Sequence, residues 1–131
     1  MVIDTSAIMA ILLDEPARPA LARAMAADPK RLVSGATLLE ATMVIESRHG
    51  DAGGRELDLL VHRSKITVVD VTTDQIEVAR NAWRTFGKGR HVAWLSFGDW
   101  FSYALTVETR EPLLLIGDDF SATGVTPVRA D

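Results

Sequence analysis

Short apolar runs at residues 1–4, 32–34, 66–69 and 113–116 are separated by long stretches of helical pattern, and this alternation constrains the chain more than any other feature. Strands separated by helices need crossover connections rather than hairpins. The pattern therefore predicts an α/β fold: three layers, α/β/α, around a mostly parallel sheet of four to five strands. Helices are expected over residues 7–13, with Thr5 or Ser6 as N-cap, and over 16–27, where Asp28-Pro29 breaks the pattern. Further helices are expected over 36–49, stopped by Gly50, and over 53–64. Residues 75–86 place Ile76, Ala79, Ala82, Trp83 and Phe86 on one face, and Ser96 can cap a helix over 97–109. Residues 87–95 read as irregular, and 125–128 as a short final strand.

A length of 131 residues suits one domain, 1–131, with one real core. With no apolar run near the ~20 residues of a membrane span and no basic leader at Met1, a soluble, cytoplasmic protein without membrane association is expected. The chain has no cysteine, which excludes disulfides and thiolate metal sites and leaves His and carboxylates as strong ligands. His49, His62 and His91 show no ligand spacing, so oxygen ligation is favoured. A net charge of -4 argues against a nucleic-acid partner, but Arg48, Arg55, Arg63, Lys65, Arg80, Arg84, Lys88 and Arg90 all fall in the middle of the chain. They fit either a basic rim around an acidic centre or a solvated helix surface.

The acids are more telling. Asp4 ends the first strand, at the carboxyl edge where open parallel sheets bind ligands, and Asp118 and Asp119 follow the fourth strand. Glu40 lies one turn into its helix and Asp99 in the first turn of another, so all can reach the same edge if the first and fourth strands are neighbours. Two like charges ~4 Å apart repel by about 4 kcal/mol at an effective dielectric near 20, and a divalent cation relieves this. Mg²⁺ or Mn²⁺ suits such oxygen donors, and phosphodiester hydrolysis is the natural reaction class. Asp4 could instead be a helix cap, and Asp99 could simply favour a helix N-terminus. Glu40 is harder to dismiss, because Leu38, Leu39, Ala41, Met43, Val44 and Ile45 surround it. Ser6, Thr37 and Ser96 could orient a metal-bound water or a ligand, although capping is their default role. Trp83, Trp94, Trp100, Phe101 and Tyr103 read as core or subunit interface more readily than as a base-stacking surface.

Taken together, Val2-Ile3-Asp4-Thr5-Ser6-Ala7, Glu40 within Thr-x-x-Glu, Phe97-Gly98-Asp99 and Gly117-Asp118-Asp119-Phe120-Ser121 resemble a PIN domain, and more specifically the VapC toxins of type II toxin–antitoxin systems. The resemblance runs the whole length in the right order. It implies a Mg²⁺- or Mn²⁺-dependent endoribonuclease with Asp4, Glu40, Asp99 and an Asp of the 117–120 turn as its acids. Relatives often carry Asn at the position of Asp118, which favours Asp119 as the fourth. The resemblance also implies a homodimer, a VapB-type antitoxin covering the acidic pocket, and transfer RNA or another structured RNA as substrate. Two departures stand out, Ser96 where relatives commonly carry Asn and Gly124 where many have Asp. Rival readings are an aspartate-dependent phosphatase, which needs a second Asp where Ser6 stands, a receiver domain, which wants a late Lys that this chain lacks, and a non-catalytic RNA- or protein-binding module.

Overall fold

A computed structural model describes residues 1–86 and 95–128. In chain order the elements are β1 (Val2–Ile3), α1 (Thr5–Leu12), α2 (Arg18–Ala27), β2 (Leu32–Ser34), α3 (Gly35–Arg63), β3 (Thr67–Val69), α4 (Thr73–Phe86), α5 (Asp99–Thr109) and β4 (Leu113–Leu114). The four strands pair in the order β3-β2-β1-β4, all parallel, so the first and fourth are neighbours as the convergence of the acids requires. The expected strand at 125–128 is reduced to a single bridge between Leu113 and Pro127. Proline has no N–H to extend a ladder.

Alternation along the strands divides the interior into two cores. Ile3, Val33 and Leu114 face a cluster built with Ile8 and Ile11 of α1, Leu21 and Met25 of α2, and Ala41, Ile45 and Leu57 of α3. Val2, Leu32 and Leu113 face the other way, against Leu105 of α5 and Phe120. Helices thus cover both faces, in the three-layer arrangement expected.

The local departures have physical causes. Asp4, rather than Thr5 or Ser6, is the N-cap of α1, and its side chain accepts the Ser6 N–H. The two helices expected on either side of Gly50 are both present and abut within α3, with a kink at that glycine, where φ is 62° and ψ is −153°. The last helix starts at Asp99, because residues 97 and 98 form a turn. Of the irregular stretch expected at 87–95, residues 87–94 lie outside the described residues, as do Lys88, Arg90, His91 and Trp94. Among the described residues, no helix is long and apolar enough to cross a membrane.

Candidate active site

Because Val2 points towards α5 and Ile3 away from it, the next side chain, Asp4, turns back towards α5. Its carboxylate is only 4% exposed and meets two serines. Oδ1 accepts the Ser102 hydroxyl of α5 at 2.8 Å. Oδ2 accepts both the N–H and the hydroxyl of Ser6, at 3.1 and 2.7 Å. The Ser6 oxygen in turn accepts the Ile116 N–H at 3.0 Å, tying the end of β4 to the start of α1.

Glu40 approaches from α3. Ser34 caps that helix by accepting the Ala36 N–H, which places Thr37 on its first turn and Glu40 one turn later. Thr37 is fully buried, with Oγ1 3.3 Å from the Ser102 Oγ. The Glu40 Oε1 accepts the Thr5 hydroxyl at 2.5 Å, which holds it beside Asp4. On its other side stands Gly98, where an added methyl group would overlap the Glu40 carboxylate. Gly98 has ordinary helical φ and ψ, so what glycine provides here is room for the Glu40 carboxylate rather than backbone freedom.

Asp99 completes the group from the first turn of α5, with Oδ2 accepting the Ser96 N–H at 2.9 Å. Burial raises its carboxyl above the ordinary value; hydrogen bonds from Ser96 oppose the rise, and the negative charges of Asp4 and Glu40 add to it. Among the described residues, the ion pairs involve Asp14, Asp28, Glu77 and Glu111, and none reaches Asp4, Glu40 or Asp99. Three carboxylates from distant segments therefore share one sheet edge with no basic side chain among those residues to offset them.

The PIN domain pattern matches residues 1–125. Over 128 residues the chain is 53% identical to a protein named Ribonuclease VapC from Mycolicibacterium smegmatis, covering 98% of this chain and 99% of that one. It is 51% identical over 128 residues to Ribonuclease VapC30 of Mycobacterium tuberculosis, with 98% of each chain covered. It belongs to the VapC family of PIN domains. A solved structure of Mycobacterium tuberculosis VapC20, described as a Sarcin-Ricin loop cleaving toxin, superposes with a TM-score of 0.78 at 24% identity over 98% of both chains. A toxin–antitoxin complex from Klebsiella pneumoniae gives 0.67 at 18% identity, over 94% of this chain and 92% of that one. These two agree in fold.

Within this VapC-type domain the remaining expected residues divide. Asp118 and Asp119 lie exposed in the turn beyond β4, and Ser121 N donates to the Asp118 carbonyl. Ser96 does not cap α5 through its hydroxyl; the Asp99 carboxylate reaches back to it instead. Ser6 links β4 to Asp4. Leu39 and Met43, read as part of an apolar helix surface, are 61% and 65% exposed on either side of Glu40. Trp100 is buried, while Trp83, Phe97 and Phe101 line an apolar groove with Ile76 between α4 and α5. Ser102 and the spatial role of Gly98 escaped the sequence reading. A serine four residues from Thr106 on an apolar helix reads as small core filler, and only the neighbouring Gly-Asp pair hinted at Gly98.

The donor set suits a hard divalent cation, being all oxygen, like-charged and partly desolvated. Among the described residues, no three His, Asp or Glu side chains are grouped so that together they could hold a metal ion.

Proposed function

We propose that this chain is a divalent-metal-dependent endoribonuclease, the toxin of a type II toxin–antitoxin pair, with Asp4, Glu40 and Asp99 at its working centre. The observation that carries the reading is the meeting of Asp4, Glu40 and Asp99 at one sheet edge, with Thr5 and Gly98 setting Glu40 between the other two; burial and the neighbouring charges raise the Asp99 carboxyl there, against the hydrogen bonds from Ser96. About half identity to named ribonucleases over nearly the full length supports the same chemistry. When bound, Mg²⁺ or Mn²⁺ would activate water and offset the charge that develops on a phosphate. Asp4 and Asp99 would hold the ion directly or through water. Glu40, held by Thr5 and less buried than Asp4, would either ligate the ion or accept a proton from an attacking water. Asp119, or Asp118 beside it, would serve as the fourth acid from the exposed turn.

RNA is the substrate in this reading, in line with the family, and a VapB-type antitoxin is the neutralising partner. Exposed Leu39 and Met43 beside the acids suit a contact with a second copy or with that antitoxin.

The test is Asp4→Asn, compared with the unaltered chain on structured RNA with Mg²⁺, with Mn²⁺ and with a chelator. Asparagine caps helices as well as aspartate, so circular dichroism should be unchanged. Cleavage should fall by at least ~10³-fold, the loss expected when several kcal/mol of metal-borne stabilisation is removed. Undiminished cleavage by Asp4→Asn, or equal cleavage in chelator, would overturn the proposal; RNA binding without any cleavage would point to a non-catalytic module.

A further inference from the structure

We infer that Ser102, backed by Thr37, is a positioning residue that orients the Asp4 carboxylate towards a divalent cation; the inference rests on the metal reading above. Hydrogen-bond direction makes the argument. An ionised carboxylate can only accept, so the Ser102 O–H must point at the Asp4 Oδ1, 2.8 Å away. With that proton committed, the 3.3 Å contact between Ser102 and Thr37 has Thr37 as donor and the Ser102 oxygen as acceptor. A directed chain runs from Thr37 through Ser102 to Oδ1, and all three residues are buried, at 0%, 0% and 4% exposure. A second chain runs from the Ile116 N–H through the Ser6 hydroxyl to Oδ2. A hydroxyl that accepts from behind becomes a better donor in front, so both chains strengthen towards the same carboxylate.

The two oxygens are not equivalent. A carboxylate oxygen has about two lone-pair directions, and both of those on Oδ2 are taken by the Ser6 N–H and hydroxyl. Among the described residues Oδ1 accepts from Ser102 alone, which leaves one direction open. Ser102 therefore holds the oxygen that is free to meet a cation, and it fixes the angle at which that lone pair is offered. Packing alone would favour an apolar residue at this position, between the buried Trp100, Ala104 and Leu105.

The experiment measures Mn²⁺ binding by the whole chain, reading free Mn²⁺ by electron paramagnetic resonance, for the unaltered protein, Asp4→Asn, Ser102→Ala, Thr37→Val and the Ser102→Ala/Thr37→Val double variant. Ser102→Ala should weaken Mn²⁺ binding about 10-fold, as expected for loss of a group that orients a ligand. Thr37→Val, which keeps the shape of the side chain, should weaken it about threefold, the size of one modest hydrogen bond. The double variant should be no weaker than Ser102→Ala, because Thr37 acts only through Ser102. Unchanged Mn²⁺ affinity in Ser102→Ala would overturn the positioning role, and additive losses in the double variant would overturn the chain through Thr37. If Ser102→Ala does not fold, Thr37→Val carries the test, and unchanged affinity there overturns the role. Asp4→Asn tells the two levels apart: if it binds Mn²⁺ like the unaltered chain, or if neither binds, the metal reading itself fails and the role of Ser102 with it.

Discussion

Burial lifts the Asp99 carboxyl above its ordinary value and the charges of Asp4 and Glu40 lift it further, so protons would compete with a metal ion for the same oxygens. A carboxyl whose value is raised on folding contributes stability that is present at low pH and is lost as pH rises through the folded value. Asp99 in the metal-free protein should thus contribute a loss of melting temperature as pH climbs through the carboxylate range, opposed by the gain from Asp28 and Glu111, whose values the N-terminal ammonium lowers. Asp99→Asn should flatten that loss and melt higher than the unaltered chain near neutral pH in chelator, which thermal scans from about pH 4 to 8 would reveal. No such gain would mean that the like charges impose no strain. Gly98→Ala separates a different pair of effects. The new methyl displaces the end of a flexible Glu40 side chain, so stability should change by less than about 1 kcal/mol while cleavage falls sharply. Urea titration and an RNA cleavage assay on one preparation would check both. At this scale the acids were legible, because a charge inside an apolar stretch demands a reason. Gly98 and Ser102 were not, since a glycine with helical dihedrals and a serine on an apolar helix carry no local signal of what they touch.

Element by element, the order of helices and strands followed from hydrophobic period and breakers, and their limits were set by partners that no local pattern contains. The apolar run 113–116 yields only Leu113–Leu114 as β4, because its ladder partner β1 is itself two residues long. Asp4 caps α1 ahead of Thr5 and Ser6, which leaves Thr5 for Glu40 and Ser6 for Ile116. Gly50 ends the first helical run of α3, as expected, with dihedrals that essentially only glycine adopts and open space around a would-be side chain. Gly50→Ala should therefore cost about 1–3 kcal/mol through backbone strain alone. An unchanged denaturation midpoint would show that the helix simply straightens across this position.

For the whole molecule, a parallel sheet with helices on both faces was readable from alternation alone, and so was the neighbouring of the first and fourth strands once the acids were assumed to meet. The division of the interior was not readable, because it depends on which way each strand residue points. Asp4 and Glu40 belong to elements of the core shared by α1, α2 and α3, whereas Gly98, Asp99 and Ser102 ride on or beside α5, which packs on the opposite face. An ion bridging the two sets, as proposed, would tie one layer to the other. Hydrogen exchange should accordingly slow in the amides of α5 on adding Mn²⁺, more than in those of α2, and equal slowing in both would argue against such a bridge. A centre assembled from two opposite faces of the sheet comes apart when one of them shifts. Easing α5 away from the sheet by a small distance would silence the molecule while the larger half of its interior stayed intact, so that a bound protein could disarm it by leverage as well as by obstruction.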